Sequence, residues 1–262
     1  MSGPIIQYWH SDEVPTEVDG LIASFRECNP DMEHLLFDEP RAERFIARHV
    51  GPRELAAFRA CAVPAMQADY FRYCAVLTLG GIYCDADFEC RGPLGPLLEE
   101  IDTGQLLGLP RLPPAWSEQT IFGAAGPVGR HRILNNSFFA FNGPGHPFLR
   151  LSLDIATANI ERRVVEDVSL TTGPGVFTSL YLIRQLMSLD AFREYASHGV
   201  LGPLAPLTCE VVGEIERVER AFDGVRIMTG EEYRRWFVNL GRNLSYKESE
   251  VHWPRWAVSI FR

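Results

Sequence analysis

The chain has 262 residues, with 25 Lys and Arg against 34 Asp and Glu, giving a formal net charge of −9. A hydrophobic share of 46% and a charged share of 23% exclude wholesale disorder and fibrous repeats, and at this length folding buries roughly three quarters of the unfolded chain's surface. The acidic balance excludes nucleic acid as a main partner, because phosphate backbones recruit net basic surfaces.

Ile5-Ile6-Gln7-Tyr8 is a short apolar run that predicts a first buried strand. After the polar loop His10 to Pro15, Thr16 opens a helix to about Cys28, with Val18, Leu21, Ile22 and Phe25 at helical spacing and Asn29-Pro30 as its stop. Glu33 to Phe37 predicts a second strand and Arg41 to Val50 a second helix. Pro64 to Leu79 predicts a long helix closed by Gly80-Gly81, followed by a brief strand over Ile82 to Cys84. Further strands are predicted over Gln105 to Leu109 and Ser137 to Phe141, and helices over His146 to Arg163, Asp190 to Ser197 and Glu231 to Val238. Leu109 to Gly129, rich in Gly, Pro and Ala, reads as a long loop. The βαβα alternation predicts an α/β fold with a mainly parallel sheet, in one domain over residues 1–262.

Six cysteines without a C-x-x-C pair read as reduced, mostly buried thiols. The first residues lack the basic and apolar regions of a signal peptide. No window offers the ~18 consecutive apolar residues of a membrane helix. The expectation is a soluble, cytoplasmic protein with no transmembrane segment.

The informative region is Gln67 to Asp87. Asp69 and Arg72, at i and i+3, share a helix face with Tyr73 and Val76; alone, they read as an intrahelical ion pair. In Asp85-Ala86-Asp87, strand alternation would turn both carboxylates to one side, where they repel unless a cation lies between them. Hard oxygen ligands suit Mg²⁺ or Mn²⁺, with substrate phosphates completing the shell. Alone, this triplet reads as a solvated acidic turn. His10, Asp12 and Glu13 read as a solvated acidic loop rather than a metal cluster, and Phe138, Phe139 and Phe141 read as core. Asn136 stands evenly between a site role and a local backbone cap. Gly173-Pro174-Gly175 and Gly123 to Gly129 give neither G-x-G-x-x-G nor a P-loop lysine.

Taken together, Asp69-Tyr70-Phe71-Arg72-Tyr73, the apolar helix after it, and Gly80-Gly81-Ile82-Tyr83-Cys84-Asp85-Ala86-Asp87 resemble the sugar-nucleotide signature of glycosyltransferase family 32. That family holds Och1-like mannosyltransferases and capsule sugar transferases, and is akin to the glucosyltransferase domains of large clostridial toxins. Ile5 to Trp9, Cys28-Asn29-Pro30, Asn136 to Phe141 and Thr172-Gly173-Pro174-Gly175 match its further elements in the same order. The resemblance implies a GT-A-type α/β sandwich and a retaining transfer from a UDP- or GDP-linked sugar to a small-molecule or oligosaccharide acceptor, with Mn²⁺ or Mg²⁺ as cofactor. It implies Asp87 as direct metal ligand, Asp85 acting through water or on the ribose, and Asp69 and Arg72 on donor-sugar hydroxyls. Trp9 would stack on the nucleobase, and Tyr8, Tyr73 and Asn136 would line the donor. A late segment with His252 and Trp253 would close the site, His252 as a further metal ligand. Two other classes stay in view: another metal-dependent enzyme on nucleotide sugars or phosphate esters, and a non-catalytic carbohydrate-binding relative.

Overall fold

The computed structural model describes residues 3–109, 133–239, 244, 247 and 259–262. The strands are β1 Ile5–Tyr8, β2 His34–Phe37, β3 Gly81–Cys84, β4 Phe88–Cys90, β5 Gly104–Leu109, β6 Ile133–Phe141, β7 Val225–Met228 and β8 Phe237–Asn239. The helices are α1 Thr16–Cys28, α2 Glu39–His49, α3 Pro52–Ala60, α4 Pro64–Leu79, α5 Gly95–Glu100, α6 Pro147–Arg162, α7 Val168–Thr171, α8 Pro174–Leu186, α9 Leu189–Ala196, α10 Ala205–Val212, α11 Ile215–Ala221 and α12 Gly230–Tyr233. Among the described residues no helix is long and apolar enough to cross a membrane.

Six strands form one sheet in the order β2-β1-β3-β6-β5-β7, and β4 and β8 form a separate antiparallel pair. β6 alone runs against the other five, so the sheet is mainly parallel, as the βαβα pattern predicts. Both faces of the sheet are buried, and β6 shows how: Phe139 and Phe141 enter the larger core with α4, α6 and α8, while Phe138 and Ala140 enter a smaller core. That smaller core holds Phe25 of α1, Phe88 of β4 and Phe237 of β8. The three phenylalanines of β6 are therefore core, as read from the sequence.

At the α4 to β3 junction the chain needs two left-handed residues, Gly80 at φ 68° and Gly81 at φ 86°. A Cβ on Gly80 would lie 2.7 Å from Gly143, and one on Gly81 would collide with the Pro4 carbonyl oxygen. That oxygen accepts the Ile82 N–H at 2.9 Å, so the bare glycine lets the start of β3 seat against the residue before β1.

Glu231 to Val238 is not one helix. Thr229 and Glu232 form a capping box over the four-residue α12, and the chain then extends so that Phe237 and Asn239 pair with Cys90 and Phe88. Helix-forming residues there yield to the strand partner that β4 supplies. Helices α3, α5, α7, α8, α10 and α11 and strands β4 and β7 add to the predicted elements, and β6 begins four residues earlier than predicted.

Candidate active site

From β1 the chain crosses to β2 on one side, and from β2 it returns past β1 to β3 on the other. The crevice beyond the carboxyl ends of β1 and β3 is thus a topological switch point, where open α/β sheets bind ligands. Trp9 leaves β1 there and Asp85 leaves β3, the two strands being paired in parallel through Ile5 with Ile82 and Ile6 with Tyr83.

The side chains converge on Arg72, whose side chain is 4% exposed. Its Nη2 lies 3.0 Å from Asp69 Oδ1 and 3.0 Å from Asp85 Oδ1. Its Nη1 donates to the Asn136 carbonyl at 2.6 Å, and its Nε donates to the Ala68 carbonyl at 3.1 Å. The guanidinium also lies over the Tyr83 ring, 4.5 Å from its centroid. The i, i+3 pair read from the sequence is therefore a buried three-charge cluster, bridged to the D-x-D triplet. Arg72 thus holds both carboxylates in place, with four of its five N–H donors directed at protein acceptors.

Asp69 is fixed from several sides. Asn136 Nδ2 donates to its Oδ1 at 3.0 Å and also to the Tyr73 hydroxyl at 3.0 Å. Tyr73 in turn donates to the Thr172 carbonyl at 2.6 Å, which ties in the Thr172-Gly173-Pro174 element that opens α8. A Cβ on Gly173 would sit 3.1 Å from Asp69 Oδ2. Burial pushes the Asp69 carboxyl up, while Arg72, Asn136 and Thr172 pull it back toward the charged form. The Asn136 side chain thus bonds to Asp69 and Tyr73 rather than to the local backbone.

The D-x-D carboxylates do not sit on a strand. β3 ends at Cys84, the Asp85 N–H donates to Ser137 O at 3.0 Å, and Phe88 N–H returns to Asp85 O at 3.3 Å. Asp85 to Phe88 is thus a hydrogen-bonded turn, and the turn, not alternation along a strand, brings the two carboxylates together. Asp85 keeps 29% of its side chain exposed. Burial and the neighbouring Asp87 and Asp69 charges push its carboxyl up to about 7, against the pull of Arg72 and of the Tyr83 hydroxyl that donates to it at 3.1 Å. Asp87 Oδ2 meets the Lys247 ammonium at 2.7 Å, whereas its Oδ1 is buried with no hydrogen-bond partner among the described residues. Among the described residues no three His, Cys, Asp or Glu side chains are grouped to hold a metal. Two neighbouring carboxylates that each draw a cation, Asp87 with an oxygen to spare, fit a divalent ion that takes the rest of its shell from substrate phosphate.

Trp9 lies in one apolar cluster with Val18, Leu21, Ile22, Ala86 and Leu244, and its Nε1 donates to Glu13 O at 3.2 Å. Tyr8 departs from its expected place on the donor: its ring is in the larger core and its hydroxyl donates to Gln67 Oε1 at 3.0 Å, because β1 alternation turns it away from the face of Trp9. His252, Trp253 and the loop 110–129 lie outside the described residues. Asp12 and Glu13 are exposed, as the acidic-loop reading has it. A hollow of about 550 Å³ nearby is lined by His10, Ser11, Asp12, Asp38, Glu39, Pro40 and Glu43, whose four carboxylates would repel a diphosphate. Lys247 had no place in the sequence reading, although one signal marked it: it is the only lysine in the chain.

Residues 15–103 match the family described as the glycosyltransferase sugar-binding region containing DXD motif. Two proteins of Schizosaccharomyces pombe are similar. Inositol phosphoceramide mannosyltransferase 3 is 30% identical over 145 residues, 55% of this chain and 34% of the relative. Inositol phosphoceramide mannosyltransferase 2 is 28% identical over 195 residues, 73% of this chain and 50% of the relative. The chain thus spans between a third and a half of the length of these relatives. Among solved structures, the PaToxG glycosyltransferase superposes with a TM-score of 0.53 at 17% identity, covering 87% of this chain and 88% of that one, which identifies the fold as GT-A-type.

Proposed function

We propose that this glycosyltransferase-family chain, as one domain over residues 1–262, moves a hexosyl group from a UDP- or GDP-linked sugar to a hydroxyl of a small-molecule or glycan acceptor. We read the transfer as retaining and dependent on Mn²⁺ or Mg²⁺. The observation that carries the reading is the Arg72 cluster, which fixes Asp69 and Asp85 beside Asp87 at the switch point of the sheet. The two relatives named as mannosyltransferases make GDP-mannose the first donor to test. Six free cysteines suit a reducing, cytoplasmic setting.

In this reading the anomeric C–O bond to the diphosphate breaks, a bond to the acceptor oxygen forms on the same face, and the acceptor proton leaves with the diphosphate. A divalent ion bound at the turn would supply Lewis-acid stabilisation of the departing diphosphate. Asp87 offers that ion its orphaned Oδ1, and Asp85, anchored by Arg72 and Tyr83, offers its exposed edge to the ion's water or to the ribose. Asp69, immobilised by Asn136 and Arg72, addresses a donor-sugar hydroxyl. Arg72, Tyr73 and Asn136 position these carboxylates. Trp9 supplies an apolar wall for the nucleobase beside Ala86. His252 and Trp253 remain proposed contacts to metal and diphosphate.

Thermal denaturation with UDP or GDP, with and without Mn²⁺, tests this. A hundredfold excess over Kd should stabilise the protein by about 2.7 kcal/mol, and only when metal is present. Stabilisation of equal size without metal would remove the ion from the reading. No response to either nucleotide would favour a non-catalytic relative.

A further inference from the structure

Lys247 is the only lysine among the chain's 25 Lys and Arg residues, and its Nζ lies on Asp87 Oδ2 at 2.7 Å, with the two side chains 26% and 14% exposed. The Lys247 N–H donates to Leu244 O at 3.1 Å, and Leu244 is buried in the cluster that holds Ala86 and Trp9. Leu244 and Lys247 thus both meet the D-x-D triplet, the first through an apolar contact with Ala86 and the second through its cation on Asp87. Where the other 24 Lys and Arg positions all carry a guanidinium, this one carries the compact ammonium, the side-chain cation nearest to a metal ion in size and charge density. Meanwhile Asp87 Oδ1 is buried without a partner among the described residues, so the carboxylate has acceptor capacity that Lys247 does not use.

We infer that Lys247 is a resident cation of the donor site. It neutralises Asp87 while the divalent ion is absent, gives up Oδ2 when the ion binds, and then donates to the diphosphate of the donor. The inference rests on the metal-assisted reading of the Asp85-Asp87 turn. An ammonium and a divalent ion on one carboxylate oxygen repel each other. The freed ammonium finds phosphate oxygens close by, since the same ion draws them to Asp87.

A merely structural lysine would weaken every ligand when replaced, whereas this role predicts effects of opposite sign. In Lys247→Met and Lys247→Gln, Mn²⁺ alone, followed by isothermal calorimetry, should bind at least about fivefold tighter because its competitor is gone. At saturating Mn²⁺, UDP or GDP should bind about tenfold weaker for want of a charge-assisted hydrogen bond. Acetylation by an N-hydroxysuccinimide ester, read by mass spectrometry against the terminal amine, follows the same lysine in the unaltered protein. Mn²⁺ should speed modification of Lys247, and adding UDP or GDP should slow it again. Mn²⁺ affinity unchanged or weakened in both variants, or a labelling rate indifferent to Mn²⁺ that does bind, overturns the role of Lys247 and leaves the metal reading standing. If the unaltered protein and both variants bind no Mn²⁺ with or without nucleotide, the metal reading falls and this inference with it.

Discussion

Arg72 concentrates more of the site's energetics than any other side chain described. Two carboxylates and two carbonyls share its guanidinium, so removing it strands the buried Asp69 carboxylate and the partly exposed Asp85 carboxylate. Arg72→Lys keeps the charge but loses the fork that reaches Asp69, Asp85 and Asn136 together. We expect the unmade hydrogen bonds to cost about 2–3 kcal/mol of stability and transfer to be abolished; an exposed i, i+3 pair would lose under about 1 kcal/mol. A melting temperature unchanged from that of the parent would contradict the buried cluster. Asp87→Asn is the complementary case, since the amide is isosteric but a poor ligand. The fold should persist, while stabilisation by UDP or GDP in the presence of Mn²⁺ should vanish; a retained metal-dependent shift would exclude Asp87 as ligand. The Asp69 to Arg72 pairing was legible because helical spacing alone puts the two on one face. Their link to Asp85 was not, because it arises where the α4 to β3 crossover returns the chain upon itself. Lys247 was hidden for the same reason, its partner lying 160 positions away.

Elements with clear start and stop residues were the legible ones. α1, α4 and β3 follow the sequence closely, because Asn29-Pro30 and Gly80-Gly81 break the chain where the periodic runs end. α8 was obscured by Gly173-Pro174-Gly175, which looks like a breaker, yet Pro174 sits at the first helical turn and the glycines allow close packing on Ser169, Leu170 and Asp69. The segment after α12 misled because its pairing with β4 is a tertiary choice invisible to local propensity. The Gly80-Gly81 junction matters most for function, since it sets the height at which β3 delivers Asp85. Gly81→Ala forces a side chain into a left-handed residue packed against the Pro4 carbonyl. Strain and overpacking together should cost at least about 2 kcal/mol, read as a lower urea midpoint with an unchanged m-value. A stability within experimental error of the parent would mean that β1 and β3 need not approach so closely.

At the scale of the whole molecule the site depends on two cores meeting across one sheet, and the larger core carries an acid-sensitive joint. His146 precedes α6, which packs against the Asp69-bearing α4. Its Nδ1 accepts the Phe148 N–H at 3.2 Å, and its ring lies 4.4 Å from that of Phe141. Burial alone lowers its pKa from 6.5 to about 4. A proton on Nδ1 would replace the cap's acceptor with a second donor, so the folded state favours the neutral ring. The sign follows from linkage: the unfolded chain takes up the proton first, near pH 6.5. Stability is therefore complete above that value and declines as pH falls toward 4. His34 behaves alike, lowered to about 4 by burial and by Arg26, whose Nε donates to its Nδ1. Urea unfolding at pH 7, 5.5 and 4.5 should show this decline in the parent protein. His146→Asn, which keeps a capping acceptor and cannot titrate in this range, should flatten it only in part, because His34 and His10, also lowered by burial, continue to titrate. The acid loss through carboxylates is common to both proteins and cancels in the comparison. An identical pH slope in His146→Asn would mean that the imidazole is protonated in the fold, and that α6 is held by its packing on α4 without this cap.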